Sequence, residues 1–301
     1  MTHTSCDTSR PGPDFAVLGA PHCGVRTLES WLDQAPNIAL PDADRRGGLA
    51  GDVTGHVTPP QAWRELWTSD PACGRLRGDI SPWYLYSDIA LDHLLAAAPI
   101  ARMIVCLANP ATIAWALHAE NVAAGRDPVG DFHAAWTLSY ARRNARGLKS
   151  PEGARQMDYA GICSLGAQTA RLLAHVPQEQ VHFVFRDDLE ADPQSCHRAV
   201  RQFLGAPDAA APTLAPCEIS AAPGPARLHD SLVRLRDWKR RVAPAWRTGL
   251  PLGRILNGAG AQPGRLRAVP HTVRETVSDR LADDIATLSV LTGRDLSGWI
   301  A

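Results

Sequence analysis

The stretch FAVLGAPHCGVRTLESWLDQAPN, Phe15 to Asn37, decides the fold. Phe15 to Leu18 is a short apolar run. Gly19, Pro21 and Gly24 interrupt it, and Val25, Leu28, Trp31 and Leu32 then recur at helical spacing. The pattern predicts a buried strand, a glycine-containing turn and an amphipathic helix. Such a turn at a helix N-terminus presents backbone N–H groups and the positive end of the helix dipole, a place where a phosphate or similar anion can sit. The Walker A pattern, GxxxxGK followed by Ser or Thr, is absent.

Outward from this unit, the chain totals bound the rest. At 301 residues it suits one large domain with a sizeable core. Thirty-one basic and thirty-one acidic residues give no net field that argues for nucleic acid. The seven cysteines are scattered, with no CxxC pair and no Cys/His spacing of a zinc site, so they read as reduced thiols and no metal is expected. Residues 1–14 are polar, lack an apolar core of signal-peptide length, and predict a disordered tail. No stretch is apolar over the ~18 residues of a membrane span. The expectation is a soluble, cytoplasmic protein without a membrane partner.

Taken in order, Pro41 to Pro60 reads as a long loop, Gln61 to Trp67 as a short helix, and Arg75 to Leu85 as an extended segment broken at Pro82. Ser87 to Ala98 is helical. Ala101 to Leu107, ARMIVCL, is continuously apolar after its arginine and fits a strand of a parallel sheet buried on both faces. Asn109-Pro110 opens a helix to about Ala124, with Asn109 as its cap. Asp131 to Arg146 and Ala160 to His175 predict further helices, Val181 to Phe185 a strand, and Pro193 to Leu204 a helix, with Asp187 and Asp188 shaping the turn between the last two. Strands alternating with helices argue an α/β fold with a parallel sheet. Between Pro223 and Arg254, eight basic residues face two acidic ones; this is either a solvated helical face or a lid that meets an anionic ligand. Pro270 to Leu291 predicts a final amphipathic helix.

Five segments in this order resemble the sulfotransferase family, particularly its bacterial small-molecule type. They are FAVLGAPHCGVRTLESWL with APNIALP, GDISPWYL, IVCLANP, VHFVFRDDLEADP with FLGAP, and the terminal LTGRDLSGW, together spanning Phe15 to Trp299. The resemblance implies a three-layer, P-loop-like α/β domain over 15–301, with a central parallel sheet flanked by helices. A C-terminal helical lid would be formed by the basic stretch at about 223–254, followed by a terminal helix at about 270–292. It also implies 3′-phosphoadenosine-5′-phosphosulfate as donor and a small-molecule acceptor carrying a hydroxyl or amine. In that family the opening loop holds the 5′-phosphosulfate and the segment after the IVCL strand holds the 3′-phosphate.

The chain departs from the family where phosphate is held. His22 stands where the family has a lysine, and Val25 where a threonine donates its hydroxyl. Ala108, in LANP, replaces a bidentate arginine, and Ala116 replaces a serine two turns into the following helix. Each change removes a donor or a permanent charge. A lost hydrogen bond to a charged group costs roughly 1.5 to 3 kcal/mol, so three or four such losses weaken donor binding by orders of magnitude unless Arg26 or the basic stretch compensates.

The candidate site residues follow. His22 is either an acid/base group at the mouth of an anion-binding turn or a hydrogen-bonded turn histidine. Gly24, Val25, Arg26 and Thr27 form the anion or donor cleft. Cys23 adjoins a helix N-terminus, which favours a thiolate, but neighbours in sequence rarely address one substrate atom. On the substrate side stand His56, Asp79, Ser81, Trp83 and Tyr84, each with a packing or turn role as the competing explanation. Trp83, Trp115 and Trp136, among nine tryptophans, are candidates for an apolar pocket. Three functions remain open: a divergent enzyme of small-molecule, secondary metabolism running acid/base chemistry such as cyclisation or elimination in the old donor cleft; conventional sulfonyl transfer; and a non-catalytic ligand- or partner-binding relative.

Overall fold

A computed structural model describes residues 12–55, 58–68, 74–143, 154–206 and 268–300. Five strands form one parallel sheet: β1 (Phe15–Gly19), β2 (Ile38–Ala39), β3 (Leu76–Ile80), β4 (Arg102–Leu107) and β5 (Val181–Phe185), in the order β2-β3-β1-β4-β5. β1 is central, with Ala16 beside Asp79 on one flank and Met103 on the other. The strand order reverses between β1 and β4, so the crevice at their C-terminal ends is where an open α/β sheet holds ligands. Both central strands are apolar because helices cover both faces, and β1 is wholly enclosed.

Helix α1 (Val25–Asp33) leaves β1 through the turn and buries Val25, Leu28, Trp31 and Leu32 on one stripe, as its spacing requires. Each such side chain contributes about 2 kcal/mol through burial. The loop after β2 carries the one-turn α2 (Gly51–Thr54), followed by α3 (Pro60–Thr68) and, beyond β3, α4 (Ala90–Ala97). Helix α5 (Pro110–Ala123) follows β4; Asn109 caps it by accepting from the Ala111 N–H at 2.9 Å, with Pro110 in its first turn.

The two long helices read after α5 are each divided. Of Asp131 to Arg146, the described residues form α6 (Phe132–Thr137) and α7 (Ser139–Arg143), joined through Leu138, which keeps helical angles, and residues 144–146 lie outside the described residues. Ala160 to His175 becomes α8 (Tyr159–Cys163) and α9 (Leu165–Leu173), separated at Ser164, whose ψ of 65° leaves the helical region. The cause is tertiary: both Asp284 carboxylate oxygens accept from the first N–H groups of α9, at Gly166 and Ala167, each at 2.8 Å. Only glycine fits at 166, since a Cβ there would lie 2.1 Å from the Asp284 carbonyl oxygen.

Asp187 and Asp188 lie in the first turn of α10 (Arg186–Ala191), which follows β5 directly, before α11 (Pro193–Leu204). The terminal helix α12 (His271–Thr292) packs on α9 and α5 as part of the wall. The basic stretch read as a lid, at 223–254, lies outside the described residues, as do residues 1–11 of the expected tail and His56. No helix among the described residues is long and apolar enough to cross a membrane, and no group of His, Cys, Asp or Glu among them makes a metal site.

A buried polar node ties the long loop to the sheet. Asp79, at the C-terminal end of β3, is fully enclosed and accepts from the Gly47 N–H at 3.0 Å, the Ile80 N–H at 2.9 Å, the Trp63 indole at 2.9 Å and the Tyr84 hydroxyl. Burial pushes its carboxyl above the ordinary range, against the pull of these four donors. Asp79 and Tyr84, expected on the substrate side, are thereby committed to structure. Asp79→Ala leaves four donors without their acceptor, so urea unfolding should show a loss of at least about 3 kcal/mol; an unchanged midpoint contradicts the assignment.

Candidate functional site

The site begins in the turn between β1 and α1. Gly24 caps α1 with a φ of 101°, and a Cβ at this position would come within 2.4 Å of Leu189 Cδ1 in α10. Among the described non-glycine residues, His22 alone has a positive φ, at 63°. The left-handed conformation costs an ordinary side chain about 1 to 2 kcal/mol. Arg186, itself buried, compensates by donating Nη1 to the His22 carbonyl at 2.8 Å, while its Nε engages Glu190 at 2.7 Å.

Cys23 closes the inside of the turn. Its Sγ accepts from the Ala20 N–H at 3.1 Å and donates to the Ala20 carbonyl at 2.7 Å, and the side chain is fully enclosed. A thiol used on both sides and shielded from the cleft is a structural element, which removes Cys23 from the candidate nucleophiles.

Above the turn lies a cavity of about 230 Å³. The turn and α1 supply His22, Gly24, Val25, Arg26 and Thr27; α5 supplies Leu117, Glu120 and Asn121 at i, i+3 and i+4, one helical face. Trp83, Arg126 and Gln156 complete its polar and aromatic lining. The opening stretch and Trp83 are therefore brought together at one cavity, whereas Glu120, Asn121, Arg126 and Gln156 were not singled out by the sequence. Glu120 lies one turn beyond Ala116 on the same helix face, which is the sequence signal that points to it.

His22 Nε2 lies 3.0 Å from Glu120 Oε2, and the histidine side chain is only 7% exposed. The ring N–H is not aimed along this line, so the two groups touch without a well-aligned hydrogen bond. Arg126 reaches the other carboxylate oxygen, Oε1, at 2.8 Å and donates Nε to Asn121 Oδ1 at 2.7 Å. Asn121 is enclosed and donates to the Gln156 carbonyl and the Tyr159 hydroxyl. The approach of His22, and behind it Arg126, hold the Glu120 carboxyl at about 2, against the opposing effect of burial. Arg26, exposed at the start of α1, makes no ion pair among the described residues.

The remaining candidates lie elsewhere. Ser81 is buried, its Oγ accepting from the Trp83 N–H at 3.2 Å. Trp115 and Trp136 pack against Phe132 and do not line the cavity. Ala108 and Ala116 are 1% and 3% exposed and likewise lie off the lining.

The chain is similar to a sulfotransferase from Alicyclobacillus acidocaldarius, with a TM-score of 0.65 at 19% identity over 96% of this chain and 99% of that one. It is also similar to the sulfotransferase STF9 from Mycobacterium avium, with a TM-score of 0.50 at 12% identity over 95% of this chain and 79% of that one. No protein-family model and no curated protein matches the chain. The fold is that of the sulfotransferases, and the side chains in the cleft must decide the chemistry.

A carboxyl held low in the folded state supplies stability in full above the ordinary glutamate value of 4.5 and loses it as pH falls through about 2. Carbon-detected NMR of the Glu120 carboxyl should give a midpoint near 2, moving up toward 4.5 in His22→Gly. A midpoint already at the ordinary value in the unaltered protein contradicts the pair.

Proposed function

We propose that this chain is a divergent sulfotransferase-fold enzyme that acts on a small molecule by proton transfer at His22. The supporting observation is the His22–Glu120 pair, 3.0 Å apart at the ligand end of the sheet. An imidazole in contact with a carboxylate and lining a cavity is a group of the kind that accepts and returns a proton in general acid–base catalysis. Glu120 lies against the ring; the uncapped backbone N–H groups at the start of α1 stabilise an anion that forms beside it. Reactions of this type include cyclisation and elimination.

The phosphosulfate donor implied by the fold family fits these residues poorly. Val25 offers no hydroxyl, and Ala108 and Ala116 offer neither a donor nor a place on the cavity wall. Glu120 also directs a carboxylate into the space beside the turn, where it repels a phosphate dianion. The competing reading, sulfonyl transfer, draws support from Arg26, a cation that lines the cavity without an ion-pair partner among the described residues.

Metabolite profiling of cells that make the protein separates the two. In a strain unable to produce the activated sulfate donor, the unaltered chain should still form its product. His22→Gly, which relieves the left-handed φ and so should remain folded by circular dichroism, should abolish it. A product bearing a sulfonyl group, or a product that persists in His22→Gly, overturns the proposal.

A further inference from the structure

We propose that Asp127, which lies off the cavity lining, is a positioning residue of the site: through Tyr159, Asn121 and Arg126 it fixes the carboxylate of Glu120 against His22. For its bearing on product formation this rests on the reading of His22 as the proton-transfer group; the positioning itself is measured on Glu120 without turnover.

The need for such a support comes from exposure. Glu120 and Arg126 are 41% and 39% exposed, and two long side chains so open to water do not keep one geometry by charge alone. Arg126 is held because its guanidinium has a second acceptor. While Nη2 donates to Glu120 Oε1 at 2.8 Å, Nε donates to Asn121 Oδ1 at 2.7 Å. Asn121 is fully enclosed, and its backbone carbonyl also accepts from the Arg126 and Asp127 N–H groups, folding the chain after α5 back onto the last turn of that helix.

Which end of the Asn121 amide meets Arg126 is decided on its far side. Nδ2 donates to the Gln156 carbonyl at 3.1 Å and to the Tyr159 hydroxyl at 3.3 Å. That hydroxyl accepts from Asn121 because its own hydrogen goes to Asp127 Oδ2 at 2.7 Å. Asp127, with no exposed side-chain surface, is fixed in turn by a forked pair with Arg142, both bonds at 2.8 Å. Each donor thus has one assignment: Arg126 gives to Asn121, Asn121 to Tyr159, and Tyr159 to Asp127. A reversed amide would set an NH2 group against a guanidinium and an oxygen against a carbonyl. If Asp127 served only to tie α7 to the chain after α5, through Arg142, Glu120 would be indifferent to the Tyr159 hydroxyl.

Carbon-detected NMR of the Glu120 carboxyl in the full chain tests the assignment. His22 and then Arg126 hold this group at about 2, so a guanidinium released from Asn121 should let the midpoint rise. Tyr159→Phe removes one hydroxyl and keeps the ring against His118 and Arg142; it should raise the midpoint by about half a unit or more. Arg126→Gln should raise it at least as far, and adding Tyr159→Phe to Arg126→Gln should give no further rise, because the hydroxyl acts through the guanidinium. Asp127→Ala should match Tyr159→Phe in a chain that circular dichroism shows to be folded; it also unpairs Arg142, and if it does not fold, Tyr159→Phe decides. An unchanged midpoint in Tyr159→Phe, or shifts that add in full in the double variant, overturns the inference. The two readings fail separately. A product lost in His22→Gly with a midpoint indifferent to Tyr159→Phe removes only the positioning role. A midpoint that follows Tyr159→Phe with a product indifferent to His22 removes only the proton-transfer reading.

Discussion

The site depends on how one turn is held from behind. His22 occupies a left-handed conformation that its side chain disfavours, and the turn carbonyl is fixed by a buried guanidinium from Arg186. Leu189, one turn further along α10, packs so closely on Gly24 that no side chain fits there. The strand β5 therefore does more than extend the sheet: the helix that leaves it clamps the loop that leaves β1. Cys23 completes the clamp from inside by bonding both polar groups of Ala20. With backbone and turn fixed this way, His22 stands at the cleft wall with its Nε2 against Glu120.

What meets it there is a carboxylate of the protein itself. Glu120 stands on the face of α5 turned to the cavity, and the pair it makes with His22 and Arg126 places a negative group beside the N-terminus of α1. The turn keeps uncapped backbone N–H groups at the start of α1, and Glu120 and Arg126 stand beside them. Ala108 and Ala116 are small, enclosed and off the cavity lining.

The sheet and its helices were legible because they rest on local periodicity: the apolar runs of β1, β4 and β5, the stripe of α1, the Asn109-Pro110 start of α5. The break at Ser164 was not, since it is imposed by Asp284, 120 residues away, which takes the first N–H groups of α9. His22, Arg26 and Trp83 were visible because they sit in or beside a recognisable motif. Glu120 and Arg126 were not, because their meaning comes only from the face that α5 turns toward the turn of β1. Asp79 and Tyr84 were visible as polar residues in a motif, but their commitment to Gly47 and Trp63 needed the long loop to be placed.

The central claim is that a protein carboxylate now occupies the electrostatic position of the phosphosulfate. A crystal structure of the chain soaked with adenosine 3′,5′-bisphosphate tests it most directly. The account predicts a cleft free of nucleotide, with Glu120 still on His22. A bisphosphate on the turn, with Glu120 swung away and Arg26 on a phosphate, would contradict it.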